Sequence, residues 1–417
     1  MAKKSELKAV AVQVWDGRIH DVAGFRTAAL YCGIKTAKEQ PPDLALVYCE
    51  DLTAAAGAFT KNRVCAAPVT LCRAHLKKNK HRARALVINA GNANACTGEQ
   101  GRQDAQRMAE LAAQSIRCKP EEVLVFSTGI IGQLLPMEKV EVGIQRAVSF
   151  VKESKNTGDF ARAIMTTDTV PKTAAATVEI GRKTVHISGA CKGVGMIAPN
   201  MATMLGIVAT DAAAAPAVLQ AALLEVVDET FNCVTIDGDT STNDSIVLFA
   251  SGKAGNKPVS KTSGAEYGAL LAGLNAVCDS LARQIAADGE GATHTITLYV
   301  GGTKTNADAH TIAKTIAESP LVKTAIAGND PNWGRIMAAA GRSGVAFDPE
   351  VASLTINGHE LFKDGQPTPF DKKTVADALK ARDTSIVLLA GDGVGRCRFY
   401  TCDLTHGYIS INADYHT

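Results

Sequence analysis

A chain of 417 residues exceeds the usual reach of one hydrophobic core, so two or three domains are expected, and 46% hydrophobic against 21% charged residues excludes a disordered or fibrous design. The 44 basic and 42 acidic residues nearly cancel, which leaves little long-range field to attract nucleic acid or an anionic membrane and favours small-molecule chemistry. Eleven scattered cysteines without a Cys-x-x-Cys pair argue for reduced thiols in the cytoplasm rather than a zinc knuckle or a disulfide framework.

The first eight residues, Met1-Ala-Lys-Lys-Ser-Glu-Leu-Lys8, lack the apolar stretch of an export signal, and nowhere do about 18 uninterrupted apolar residues occur. Neither secretion nor a membrane span is expected. Arg73 through Arg84 is rich in lysine and arginine and could in principle grip phosphates, but no aromatic residues interleave for base stacking, so a solvated surface segment is the simpler reading. Ala85–Ala90, Val123–Phe126, Val185–Ser188 and Ile386–Ala390 read as strands, each running into a glycine. Between and beyond them Gln103–Ile116, Pro216–Glu229, Glu266–Ala287 and Ala307–Glu318 carry helical patterns. Ala250–Gly264 is a Gly, Lys and Ser-rich surface loop, Thr293–Val300 alternates like a strand with one buried face, and Val351–Leu361 turns at Asn357-Gly358 as a hairpin. No fixed-period repeat is present, and strands and helices mix throughout.

Three glycine- or acid-rich stretches imitate known sites. Asp237-Gly-Asp-Thr-Ser-Thr-Asn-Asp244 offers clustered oxygens, but Thr242 and Leu248 stand where a calcium loop needs glycine and a bidentate glutamate. An acidic turn before a strand at Ile246–Ala250 is the better reading. Gly391-Asp-Gly-Val-Gly-Arg396 follows an apolar strand like a dinucleotide fingerprint, yet its sixth residue is arginine and Cys-Arg-Phe-Tyr-Thr-Cys402 predicts another strand, not a helix. Asn89-Ala-Gly-Asn-Ala-Asn94 lacks a phosphate-loop lysine; its asparagines either shape a turn or bind a ligand.

A further stretch, Met196-Ile-Ala-Pro-Asn-Met-Ala-Thr-Met-Leu205, resembles the self-cleavage site of the ornithine acetyltransferase family, in which the threonine becomes a new amino terminus. By pattern alone Thr203 is only a threonine at a strand start. Gly24-Phe-Arg26, Phe59-Thr-Lys-Asn-Arg63, Asn89–Asn94, Ser127-Thr-Gly-Ile-Ile-Gly132, Met165-Thr-Thr-Asp-Thr169, Asp288-Gly-Glu-Gly-Ala-Thr293 and Gly328-Asn-Asp-Pro-Asn-Trp-Gly-Arg335 also resemble the family's motifs, in the same order along essentially the whole chain.

The resemblance implies a mixed α/β (α+β) fold, a layered αββα sandwich of the ornithine acetyltransferase/aminopeptidase type with a smaller α/β domain added. It implies cleavage between Ala202 and Thr203, giving chains 1–202 and 203–417, with Thr203 as nucleophile. The freed α-amine, with an ordinary pKa of about 8, would be the base toward its own hydroxyl. By the same residue-by-residue carry-over, Thr128 and Gly129 correspond to the oxyanion hole, and Thr167, Lys192, Thr203, Glu290, Asn412 and Thr417 to substrate-binding positions. Lys192 could pair with a substrate carboxylate, and Glu290 with a substrate amine. Ile409–Asn412 is expected as a strand carrying the last residues into the cleft.

The implied reaction moves acetyl from N2-acetylornithine to Thr203 and then to glutamate, with no metal or redox cofactor; acetyl-coenzyme A is a candidate second donor. The two chains are implied to stay together as a heterodimer and to pair into a heterotetramer. Two rivals differ in kind: an N-terminal-nucleophile aminopeptidase or amidase would pass the acyl group to water, and a noncatalytic small-molecule-binding protein using Asn89–Asn94 and Gly391–Gly395 would stay one intact polypeptide.

Overall fold

The structure, a computed structural model, describes residues 10–153, 156–198 and 204–414. Its backbone contacts divide it into two compact units, the first taking Met1–Gly193, Asn200–Asp228 and Thr240–Leu281 and the second Val194–Pro199, Glu229–Asp239 and Ala282–Thr417.

Strands of the first unit are β1 (Val12–Trp15), β2 (Phe25–Leu30), β3 (Leu44–Phe59), β4 (Arg82–Asn92), β5 (Val123–Ile130), β6 (Lys172–Ile180), β7 (Lys183–Lys192), β8 (Leu205–Thr210) and β9 (Ser245–Ala250). They pair in the order β1-β6-β7-β8-β9-β3-β4-β5, with β2 on the other edge of β3. One long strand makes this sheet into two layers. Leu44–Tyr48 of β3 pairs with β2 and β4, whereas Ala54–Phe59 pairs with β9, and Glu50, Asp51 and Leu52 between them are exposed where the register with β4 shifts. The two halves then face each other across a common core in which Val47, Ile88 and Phe126 meet Ile207, Val247 and Phe249, and the Phe25 and Phe249 rings pack edge-on 6.3 Å apart.

Helices α1 (Ala67–Lys78), α2 (Gly98–Ile116), α3 (Met137–Lys152), α4 (Phe160–Ala163), α5 (Pro216–Glu229) and α6 (Ala265–Ala287) follow in chain order. The outer face of one sheet half, including Leu46, Val87 and Val125, is covered by Met108 and Ala112 of α2 and Ile144 and Val148 of α3. Over the other half, Gln220 of α5 bonds both backbone groups of Gly57, and Gly273 of α6 rides on Ile187 and Val178. The order of layers is therefore helix, sheet, sheet, helix, as expected. It also explains why β8 and β9 are buried at every residue: both their faces are covered.

The second unit holds β10 (Thr295–Gly302), β11 (Ser353–Ile356), β12 (His359–Lys363), β13 (Gln366–Pro367), β14 (Asp383–Leu389) and β15 (Gly393–Cys402), ordered β13-β12-β11-β14-β10-β15. Helices α7 (Asn306–Ala317), α8 (Pro320–Ala327), α9 (Trp333–Gly341) and α10 (Lys372–Ala378) supply Ile312, Ile326, Ile336 and Val375 to a core with Leu298, Leu354 and Leu388. The hairpin turns at Asn357 and Gly358, both at positive φ (48° and 81°), as a two-residue loop of this composition requires. Gly391–Gly395 runs from the turn after β14 into the start of β15 rather than opening a helix; a Cβ on Gly393 would lie 2.1 Å from the Thr303 carbonyl oxygen, so its glycines serve close backbone packing.

One expected element changes type. Ile409–Asn412 belongs to a helix, α11 (His406–Asp414), and is not a strand. The alternation that predicts a strand marks no buried face, because Ile409 and Ile411 are both exposed. The basic stretch from Arg73 is partly the last turn of α1, where His75, Lys77 and Lys78 suit the negative end of the helix.

Candidate active site

In the first unit β5 runs parallel to β4, so Thr128 and Gly129 lie beside Ala90 and Gly91 where the strands end. Gly129 has φ 133°, and a Cβ there would fall 2.2 Å from the Gly91 carbonyl carbon, so only glycine fits. The asparagines of 89–94 hold this turn. Asn89 donates to the Asn92 carbonyl at 2.8 Å, Asn92 to the Gln133 and Leu134 carbonyls at 3.1 Å, and Asn94 to the Gly101 carbonyl at 2.8 Å. Asn243 ties in from before β9, donating to the Ala93 and Ser127 carbonyls at 2.6 and 2.8 Å. Of the two readings left open for this segment, turn-shaping is the one these bonds carry.

Lys192 closes β7, and its Nζ donates to Thr128 Oγ1 at 3.2 Å. An ammonium only donates, so Thr128 accepts here and its own hydroxyl hydrogen is directed elsewhere. Lys192 pairs in register with Leu205, and on the other side of β8 the Ser245 N–H donates to the Met204 carbonyl at 2.9 Å. Ala202, Thr203 and Thr417 lie outside the described residues. Leu205, at the start of β8, is flanked in register by Lys192 on one side and Ser245 on the other.

Thr167 is exposed in the loop before β6, and its neighbour Asp168 is buried. Asp168 accepts from Lys172 Nζ and the Gly193 N–H, both at 2.8 Å, and from the Thr166 N–H at 3.1 Å. Burial would raise this carboxyl, but Lys192 and Lys172 outweigh it and hold the pKa below the usual carboxylate range. Nearby, Asp43 accepts four backbone N–H bonds from Cys32 to Lys35, fixing a loop whose Ile34 and Lys35 press on Gly91. Burial lowers the Lys35 ammonium, partly offset by Asp43 and Asp168. Asp244, buried just before Ser245, is pushed well above its ordinary range by burial, and its Oδ2 has no hydrogen-bond partner among the described residues.

In the second unit the Glu290 carboxylate lies against Gly195, where a Cβ would come within 2.6 Å of Oε2, and the Glu290 N–H donates to the Val194 carbonyl at 2.9 Å. Helix α11 sits so close to Gly291 that a Cβ there would meet the Tyr408 nitrogen at 2.3 Å. This docking lets Asn412 Nδ2 donate to Glu290 Oε2 at 2.9 Å. Burial, reinforced by Asp237 and Glu290, raises the Tyr408 hydroxyl to about 12. Asp237 itself accepts the Met196 and Ile197 N–H groups at 2.6 and 2.8 Å, which is the turn role expected of it.

The structure thus joins Thr128, Gly129 and Lys192, ties Thr167 to Lys192 through Asp168, and separately joins Glu290 to Asn412. Sequence reasoning misses Asp168, Lys172, Asp43 and Lys35. Asp168 stands inside the Met165–Thr169 motif, but only the folded chain shows it buried and bonded to Lys172, Thr166 and Gly193. Among the described residues no group of three or more His, Cys, Asp or Glu side chains could hold a metal ion, and no helix is long and apolar enough to cross a membrane.

An αββα sandwich that gathers a hydroxyl, an ammonium and a glycine turn at its strand ends belongs to a class suited to acyl transfer, where negative charge develops on oxygen. A sequence model of the ArgJ family matches residues 26–417. The arginine biosynthesis bifunctional protein ArgJ of Bradyrhizobium diazoefficiens is 46% identical over 401 residues, 94% of this chain and 95% of the relative. That of Symbiobacterium thermophilum is 46% identical over 403 residues, 96% of this chain and 99% of the relative. A solved structure of the ornithine acetyltransferase of Mycobacterium tuberculosis complexed with ornithine is 38% identical, with a TM-score of 0.40, and covers 46% of this chain and 100% of that one. The chain belongs to the ArgJ family, and so to the acetyl-transferring enzymes of arginine biosynthesis.

Proposed function

We propose that this enzyme cleaves itself between Ala202 and Thr203 and then carries acetyl from N2-acetylornithine to glutamate as an ester on Thr203. One observation carries the reading: Lys192 is bonded to Thr128 beside the strained Gly129 turn and paired with Leu205, two residues past Thr203. In self-cleavage the Thr203 hydroxyl adds to the Ala202 carbonyl, the amide C–N bond breaks, and the hydroxyl proton ends on the nitrogen. Water hydrolyses the resulting ester and leaves Thr203 with a free α-amine.

In transfer, that amine takes the hydroxyl proton as oxygen attacks the acetyl carbonyl and returns it to the departing α-nitrogen of ornithine. Glutamate's amine then attacks the ester and regenerates the hydroxyl. The oxyanion of both steps is met by donors at Thr128 and Gly129. Thr128 is primed for this because Lys192 occupies its oxygen as an acceptor and frees its hydrogen to donate. Lys192 and Thr167 bind the substrate carboxylate and Glu290, whose carboxylate is bonded by Asn412, binds the side-chain amine of ornithine; Thr417 is a further substrate-binding residue. Acetyl-coenzyme A is the second donor, in keeping with the bifunctional name of the relatives. Chains 1–202 and 203–417 form a heterodimer that pairs into a heterotetramer in the cytoplasm, where the eleven free cysteines stay reduced.

Intact mass measurement tests the first half: two chains are expected, the second beginning at Thr203, and a single uncut chain overturns the reading. Initial rates test the second half, with parallel double-reciprocal lines expected as acetylornithine and glutamate are varied; intersecting lines, or acetate released without glutamate, count against transfer through Thr203. Asn412→Ala removes the bond that orients Glu290. It is expected to raise the KM for acetylornithine by about tenfold, the loss of roughly 1.4 kcal/mol, while both chains still appear by mass. An unchanged KM would separate Asn412 from substrate binding.

A further inference from the structure

We propose that Asp168 is a positioning residue for acetyl transfer: one buried carboxylate fixes the Thr167 loop and the end of β7 together, and so aims Lys192 at Thr128. The inference rests on the acetyl-transfer reading above and adds to it a residue that touches no substrate. Three bonds carry it. Oδ2 takes the N–H of Thr166, the residue before Thr167, and Oδ1 takes the N–H of Gly193, the residue after Lys192. The third comes from Lys172, whose side chain is fully buried with that of Asp168. Lys172 pairs with Cys191 in the register of β6 and β7, so this anchor is set by the sheet and not by the loop.

A buried ion pair alone is no argument for function, because an apolar pair of the same shape often serves the fold as well. The arrangement here goes further. Two backbone N–H groups from segments 27 residues apart converge on the same carboxylate, and each is a neighbour of a residue assigned to the substrate. The anion also stands within electrostatic reach of the Lys192 ammonium, favouring its charged form. The other titratable groups around the pair are Lys172, Lys35, Asp43, Cys191 and Asp244.

The test uses the full-length chain. Asp168→Asn keeps the shape but removes the charge and one acceptor. It is expected to leave cleavage before Thr203 intact by mass, lower kcat/KM by on the order of 10–100-fold, and move the alkaline limb of the kcat/KM profile to lower pH as Lys192 loses its anion. Because Asp168→Asn leaves Lys172 buried without its counter-charge, the double variant Asp168→Asn with Lys172→Met provides a form with no stranded charge. A smaller alkaline shift in the same direction is expected in it, because losing the Lys172 cation partly offsets losing the anion. An unmoved alkaline limb in both variants, or a kinetic loss that only follows the fraction of folded protein in thermal melts, would assign the pair to stability alone and overturn the proposal. If instead the unaltered enzyme fails to pass acetyl from acetylornithine to glutamate, the transfer reading itself fails, and the two failures are distinguished.

Discussion

Thr203→Ala is expected to leave a single chain of 417 residues with acetyl transfer reduced by on the order of 10⁴-fold or more. The proposed mechanism requires the same atom twice. Without the hydroxyl there is nothing to attack the Ala202 carbonyl, and without cleavage there is no α-amine to act as base in transfer. Thr203→Ser restores the hydroxyl and should restore part of both activities, more slowly because the missing methyl no longer limits the rotamers of the oxygen. Mass spectrometry of each variant and a glutamate-dependent transfer assay decide the matter. An alanine variant that still divides, or that transfers acetyl at near the original rate, would remove Thr203 from the chemistry.

Gly129→Ala is the second change with a large expected effect, and its cause lies in the backbone. Its φ of 133° is disfavoured for any side chain, and the added Cβ would fall 2.2 Å from the Gly91 carbonyl carbon and 2.5 Å from the Asn92 nitrogen. Those are main-chain atoms of a turn that Asn89, Asn92 and Asn243 hold in place, so the clash is relieved only by moving the turn. If Gly129 donates to the oxyanion as proposed, displacing it costs about 2.7–4 kcal/mol, so kcat should fall by roughly 10²–10³ even in molecules that fold. Gly132→Ala is the control: its φ is also positive, 85°, but nothing lies within 4 Å of the new Cβ. It should pay strain in the thermal melt while keeping most of kcat. Equal kinetic losses in the two variants would mean that general loosening, and not the oxyanion turn, sets the rate.

Much of the fold was legible because local chemistry and tertiary packing agree. Pro216–Glu229 is a helix over the range expected, and Asn357-Gly358 turns where two positive-φ residues are demanded. The αββα order came from resemblance and not from periodicity. No pattern in Leu44–Phe59 says that one strand serves both layers, since the change of partner at Glu50–Leu52 depends on which strands arrive from elsewhere. The last helix was misread for a related reason: Ile409 and Ile411 alternate, but a period of two means a strand only when one face has something to bury against.

For the site, the resemblance of the motifs, in a fixed order along the chain, named Thr128, Thr167, Lys192, Thr203 and Glu290 as candidates, whereas by local pattern alone Thr203 is only a threonine at a strand start. What those groups touch was decided by the tertiary structure. Lys192 meets Thr128 across 64 residues, Asn412 meets Glu290 across 122, and the anchor at Asp168 exists only because β6 and β7 bring Lys172 and Gly193 to the same carboxylate. A hydrogen bond needs both partners within about 3 Å. A one-dimensional pattern records which donors and acceptors are available, but which of them come that close is fixed only when the sheets pack.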